Sequence, residues 1–202
     1  MTDTSRRPPF DPWLSHLRRD RRGLAVPYVN LWGEQTADNT RVDYDRHVGR
    51  DAMFVDDVGD VPNFLKQSPQ RQRECMIQGL CQVCGRQVPW SRRNLVVASM
   101  SVDFVHVAGR ERPVVFEPWL DDRCAQIALA WCPALIRRRH GEDLTLIRIR
   151  SPREVQPVAS SGWIDGELEE QTKASPVAMF VKFALLTWNV QKMSSDREVT
   201  RG

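Results

Sequence analysis

Apolar positions along the chain follow two periods, one typical of strands and one typical of helices. Residues 144–150 end in an apolar–polar alternation, which predicts a half-buried strand with Arg148 and Arg150 facing outward. Short apolar runs bounded by polar or turn residues predict further strands at residues 24–32, 52–55, 94–100, 102–107 and 114–116. Strands and helices mixed in this order predict an α+β fold with a small, mostly antiparallel sheet.

Three segments carry helix signals, so three main helices are expected. Ser68 and Pro69 provide a capping hydroxyl and a first-turn proline, and Gly79 is expected to end this first helix. On it, Arg73 is expected to face water. Apolar residues at helical spacing predict two more helices, at residues 119–131 and 175–192, and the polar stretches 33–50 and 151–175 are interpreted as loops.

Composition favours one folded domain of the cytoplasm. Of 202 residues, 41% are hydrophobic and 27% are charged, with a net charge of +3, so a sizeable core is expected. No apolar run is long enough for a membrane span, and no secretory signal is recognised at the start. We expect a basic flexible arm over residues 1–23, one α+β domain over residues 24–192, and a disordered tail over residues 193–202.

Cys81 and Cys84, followed by Gly85, have the spacing of a zinc knuckle. A tight turn of this kind places both sulfurs on one side, and glycine lets the backbone fold back so that amides face them. In a reducing compartment, the five cysteines are interpreted as metal ligands and core residues rather than as disulfides.

The second half of the site is expected about forty residues later, at Asp121 and Cys124. Residues three apart on a helix share a face, and thiolates near a helix N-terminus gain from the helix dipole. The predicted ligands of a structural zinc ion are therefore Cys81, Cys84, Asp121 and Cys124. For the fourth position, Asp122, His106 and Cys75 remain as alternatives to Asp121, whereas Cys132 lies too far along the helix and is interpreted as a core residue.

A knuckle, a hairpin and a helix that supplies the remaining ligands form the treble-clef arrangement. The sequence also resembles a family of uncharacterised proteins from actinobacteria and their phages, through the Leu80–Gly85 knuckle, residues 26–29 and the segment from Cys124 to Leu135. That family usually has a CxxC motif in the second half-site, where this chain has Asp121 in place of the first cysteine. The resemblance implies a zinc-binding fold and a bacterial or phage setting, and no activity.

The treble clef is similar to the scaffold of HNH nucleases, in which histidines bind a catalytic divalent ion and activate water. His106 lies at about the corresponding place. The chain lacks a histidine pair there, and it lacks the Walker, GxSxG and GxGxxG motifs of common nucleotide-binding proteins and hydrolases. A divergent metal-dependent endonuclease is therefore kept as an alternative.

The first functional hypothesis is a non-catalytic, zinc-stabilised binding protein. Arginine and tryptophan are common in the centres of interfaces, and arginines that flank the knuckle and hairpin are expected to contact DNA phosphates or a host or phage protein. These partner-binding residues are Arg92, Arg93, Arg110 and Arg112. A structural component of a phage particle or assembly is a further alternative.

Overall fold

The computed structural model describes residues 12–98, 103–132, 144–161 and 178–186, and it shows a mixed helix and sheet protein. The described residues contain two α-helices, α1 (Pro69–Gln78) and α2 (Asp122–Trp131). The strands, in chain order, are β1 (Asn30–Trp32), β2 (Thr40–Asp45), β3 (Arg50–Val55), β4 (Pro62–Gln67), β5 (Arg93–Ala98), β6 (Asp103–Val107), β7 (Arg110–Val115), β8 (Leu144–Ile149), β9 (Val155–Ser161) and β10 (Ala178–Leu185).

The strands form one larger sheet and two strand pairs. In the larger sheet the order is β2-β3-β10-β7-β6, and β9 pairs along the other edge of β10. All its pairings are antiparallel except the short parallel contact between β10 and β3. The pairs β5–β8 and β1–β4 are antiparallel and separate. Along the chain, the knuckle follows α1, which packs on the larger sheet, and precedes β5, which belongs to the β5–β8 pair.

Buried polar side chains of helix α1 form hydrogen bonds to the backbone of the larger sheet and of the residue that follows β7. The Gln72 amide donates to the carbonyls of Phe116 (2.9 Å) and Val181 (2.7 Å) and accepts from the Val181 amide (3.1 Å). Arg73 is fully buried, pairs with Asp45 at 2.7 Å, and donates to a backbone carbonyl of β3. Because β10 contacts β3 at one end and β7 at the other, these side chains satisfy backbone groups between them.

Two hydrophobic clusters meet at the end of α1. The larger one contains Trp119, which is fully buried, together with residues of α1, β5, β8 and β10. The second surrounds the cysteines and contains Leu14, Val88, Leu120 and Ala125. Leu120 and Asn94 exchange backbone hydrogen bonds of 2.8 and 3.0 Å, which fix the segment before α2 against β5.

The predicted mixture of helices and small, mostly antiparallel sheets is confirmed. Helix α1 begins after the Ser68 cap and ends at Gly79, whose φ of 74° is the left-handed conformation expected there. The strand expected over residues 144–150 is β8, and the helix expected over residues 119–131 is α2, which begins slightly later.

Several expected elements differ from the structure. The described part of the expected helix at residues 175–192 is the strand β10, because its backbone pairs with β9 and β7 and its apolar side chains are buried in the larger cluster. The expected loops contain the strands β2 and β9, and β4 was not predicted at all. Arg73 is buried rather than exposed. The ends of the chain, residues 1–11 and 187–202, lie outside the described residues.

The boundary expected at residue 23 is also corrected. Residues 12–14 form a 3-10 helix whose Leu14 is buried in the cysteine cluster, so this part of the expected arm packs on the domain. Asp20 accepts hydrogen bonds from the amides of Arg22 and Leu24, both 2.9 Å, and orders the turn that follows. No described helix has both the length and the apolar character that crossing a membrane demands.

We expect Gln72→Ala to lower the free energy of unfolding by about 3 kcal/mol or more, because it leaves backbone groups of Phe116 and of Val181 in β10 without these partners. Urea denaturation monitored by circular dichroism measures this change. Gln78→Ala is the matched control, since Gln78 is exposed on the same helix and its loss is expected to cost less than about 0.5 kcal/mol. Equal losses for the two variants would contradict the role given to Gln72.

Candidate metal centre

Three cysteine sulfurs converge in the second hydrophobic cluster. Cys81, Cys84 and Cys124 are all buried, and their Sγ atoms lie within 4.8 Å of one another. Among the residues that the structure describes, this is the one group of three or more ligand-type side chains with such spacing. The group could therefore hold a metal ion, and it contains the three cysteines among the four predicted ligands.

The knuckle that carries Cys81 and Cys84 is a short hairpin turn. Leu80 bridges Gln87 in antiparallel fashion, the Cys81 amide donates to the Arg86 carbonyl, and the Gly85 amide donates to the Cys81 carbonyl, both at 2.8 Å. Gly85 has a φ of 67°, and a Cβ there would lie 2.9 Å from the Tyr28 ring. The turn therefore needs glycine both for its conformation and for the close approach of Tyr28.

Helix α2 delivers the third sulfur from its first turn. Asp121 is the N-cap of this helix, and its carboxylate accepts a hydrogen bond of 3.1 Å from the Arg123 amide. The other carboxylate oxygen lies 3.5 Å from Nε of Arg92. The backbone amide of Asp121 donates to Sγ of Cys81 at 3.4 Å. The structure thus brings Asp121 beside the sulfurs through its amide, while its carboxylate caps the helix and pairs with Arg92.

A segment near the N-terminus covers the knuckle. The His16 Nε2 atom lies 2.8 Å from the Cys84 carbonyl oxygen, and the His16 Nδ1 atom lies 3.2 Å from Nη2 of Arg86. Further along, the amides of Tyr28 and Val29 donate to the knuckle carbonyls of Val83 and Gln82, at 2.9 and 3.0 Å. The cysteine group is therefore enclosed by three separate segments of the chain.

The pKa values of the three thiols are shifted in different directions. Hydrogen bonds from Cys124 and then Cys81, joined by donors on Arg86 and the Trp13 indole, lower the pKa of Cys84 to about 2 in spite of its burial. A hydrogen bond from Cys124 acts to lower the pKa of Cys81. The hydrogen bond between Cys81 and Cys84 and the burial of Cys81 outweigh this effect, so the pKa of Cys81 is raised to about 11. The pKa of Cys124 is raised because it donates to Cys81 and Cys84.

A metal ion stabilises thiolates and releases their protons, and thiolates are ligands that zinc binds well. The backbone N–H of Asp121 donates to Sγ of Cys81 and then fixes the orientation of that sulfur.

The other candidates for the fourth ligand lie elsewhere. Asp122 accepts hydrogen bonds from Asn94 and Arg148. Exposed His106 lies on β6, opposite Glu111 of β7, and is not part of the sulfur group. Cys75 is buried on α1, where burial and then the charge of Cys81 raise the pKa of its thiol well above the usual range. Cys132, half-buried at the end of α2, is separate from the group as expected.

The four predicted partner-binding arginines have different environments. Arg92 and Arg110 are exposed, and Arg112 is half-buried on β7. Arg93 is buried: its Nε donates to the Val88 carbonyl at 2.8 Å, and its guanidinium stacks on two tryptophans. The expected surface role of Arg93 is therefore corrected to a structural one, which also explains why Gly79 has no space for a side chain.

Sequence reasoning missed the residues that surround the sulfurs from the N-terminal segment. Trp13 and His16 fall in the segment expected to be a flexible arm, although Trp13 packs against the cysteine cluster and His16 contacts the Cys84 carbonyl. No periodicity or spacing in residues 12–16 indicates contact with a turn about seventy residues later. No family model matches the chain, and no curated protein or solved structure shows significant similarity to it. Its function must be inferred from the chemistry of this centre and its surroundings.

We expect Asp121→Ala to keep a bound metal ion and to lose about 1 kcal/mol of stability, because the carboxylate caps α2 and pairs with Arg92 rather than joining the sulfurs. Cys84→Ser is expected to lose the metal. Elemental analysis gives the metal content, and denaturation gives the stability. Asp121→Asn is the control, since asparagine also caps helices. If Asp121→Ala loses metal as completely as Cys84→Ser, the carboxylate is a ligand after all.

Proposed function

We propose that this protein is a zinc-stabilised binding protein of bacterial or phage origin, and that its zinc ion is structural rather than catalytic. The observation that carries the proposal is the convergence of three buried sulfurs within 4.8 Å, from a knuckle and from the first turn of a helix. Buried thiolates are the typical ligands of structural zinc sites. A reducing compartment such as the bacterial cytoplasm keeps such thiols available.

The order of elements supports a treble-clef assignment of the centre. The knuckle at residues 81–84 is followed by the β6–β7 hairpin, and α2 then provides Cys124 from its first turn. This chain adds β5 before the hairpin, and β5 pairs with β8. Zinc in this place would connect the knuckle and α2, and the N-terminal segment packs over both through Leu14 and Trp13.

A stabilising centre with exposed arginines around it favours binding over catalysis as the function. DNA or a host or phage protein is the proposed partner, and the dependence of affinity on salt separates the two, because phosphate contacts release counterions. Arg92 and Arg110 are the exposed members of the arginine set predicted from the sequence.

We expect about one zinc ion per chain in protein purified without added zinc. Removing it with a chelator is expected to lower the melting temperature by about 10 °C or more, because a structural zinc site contributes at least several kcal/mol to folding. Inductively coupled plasma mass spectrometry measures the metal, and scanning calorimetry measures the melting temperature.

Cys132→Ser is the control for the effect of removing a thiol, since Cys132 lies outside the sulfur group and its replacement should leave both values unchanged. A parent protein without bound zinc that also fails to take up zinc under reducing conditions would refute the proposed function. Iron bound in place of zinc would keep the metal centre and refute the assignment of zinc.

A further inference from the structure

Two exposed arginines stack on the same tryptophan at the rim of the metal centre. The Arg86 guanidinium lies 4.0 Å from the ring centroid of Trp13, and the Arg123 guanidinium lies 5.7 Å from it. Arg86 follows the knuckle, Arg123 lies in the first turn of α2, and Trp13 belongs to the covering segment. The three segments that enclose the sulfurs therefore also build this group on the outside.

The basic surface continues along the start of α2. Arg123 follows Asp121, which pairs with Arg92, and the adjacent Asp122 pairs with Arg148. We call the four residues Arg86, Arg92, Arg123 and Arg148 the arginine belt. The side chains of Arg92 and Arg148 are 48% and 44% exposed, so both remain accessible while they are paired. With four arginines and two aspartates, the belt carries an excess of positive charge.

Stacking on Trp13 orients the Arg86 guanidinium so that it can bind a negatively charged ligand. A guanidinium on an aromatic face uses its flat side for the stack, and its edges keep N–H donors that match the oxygens of a phosphate. One donor of Arg86 is directed at Nδ1 of His16, whose Nε2 is fixed at the Cys84 carbonyl. The side chain is thus ordered before binding, which lowers the entropy lost when a ligand is bound.

We propose that the arginine belt binds the phosphate backbone of nucleic acid. This inference rests on the proposed function and specifies its partner. Several cations carried by neighbouring segments suit a polyanion better than a single small anion. The Trp13 ring lies beneath guanidinium groups of the belt. Among the residues that the structure describes, the large exposed apolar side chains lie in other segments: Tyr44, Val58, Val61, Phe64, Leu65 and Ile77. The belt therefore lacks the apolar centre that is typical of a protein interface.

The test measures the affinity of the zinc-loaded protein for a fluorescein-labelled DNA duplex of about 20 base pairs by fluorescence anisotropy, over a salt series. Arg86→Ala combined with Arg123→Ala is expected to weaken binding at least about tenfold at low salt. It is also expected to reduce the slope of log K against log salt by about two, because two phosphate contacts are lost.

Two further variants keep the test decisive. Arg21→Ala combined with Arg41→Ala removes the same charge from two arginines paired with exposed aspartates, and it should leave the slope unchanged. Arg86→Lys combined with Arg123→Lys keeps the charges and should keep most of the slope, which covers the case of a misfolded alanine variant. Zinc content is measured for every variant.

The outcomes separate this inference from the function on which it rests. A zinc-loaded parent protein that does not bind DNA at low salt overturns the nucleic-acid inference and leaves the zinc centre intact. Equal weakening in the Arg21 and Arg41 variant overturns it as well, since general charge would then explain the binding. Displacement of DNA by polyglutamate at equal or lower charge concentration would assign the belt to an acidic protein instead. A parent protein without zinc refutes the proposed function itself.

Discussion

Three thiols held within 4.8 Å in a buried site impose a charge constraint on this fold. Burial disfavours charge, and neighbouring thiolates repel one another, so three thiolates in this cluster need a cation beside them. A divalent cation removes this conflict and allows all three sulfurs to be thiolates. The N-terminal segment, the knuckle and α2 meet at this point, and their mutual position depends on how the constraint is met.

A second constraint acts at α1, whose buried face carries polar side chains. Gln72 and Arg73 are fully buried on the face that contacts the sheet, and both make their hydrogen bonds to backbone atoms or to Asp45. A buried ion pair of this kind contributes little net stability, but removal of one partner leaves an expensive unpaired charge. Together with the glutamine, it sets where α1 lies across the gap between β3 and β7.

The sequence allowed prediction of those elements whose signals are local. Ser68 and Gly79 set both ends of α1, the alternation before Arg150 indicated β8, and the CxxC spacing indicated the knuckle, because each depends on a few neighbouring residues. Strand β10 differs from the expected helix because both of its faces carry buried apolar residues, and some of these, such as Val181, Ala184 and Leu185, also fall at helical spacing. The segment is a strand and not a helix because it pairs with β7 and β9, which lie elsewhere in the sequence.

The metal centre likewise has some features that local sequence signals predict and others that depend on residues far apart in the chain. Cys81, Cys84 and Cys124 were found from spacing and from the position of a helix start, but the role of Asp121 depends on Arg92 and on the Arg123 amide. Trp13 connects the two sides of the centre, since it packs against the cysteine cluster while its ring stacks with Arg86. Displacement of Trp13 would uncover the cluster and remove the stack from the guanidinium in one step. Order at the centre and order of the arginine belt are therefore coupled through one side chain.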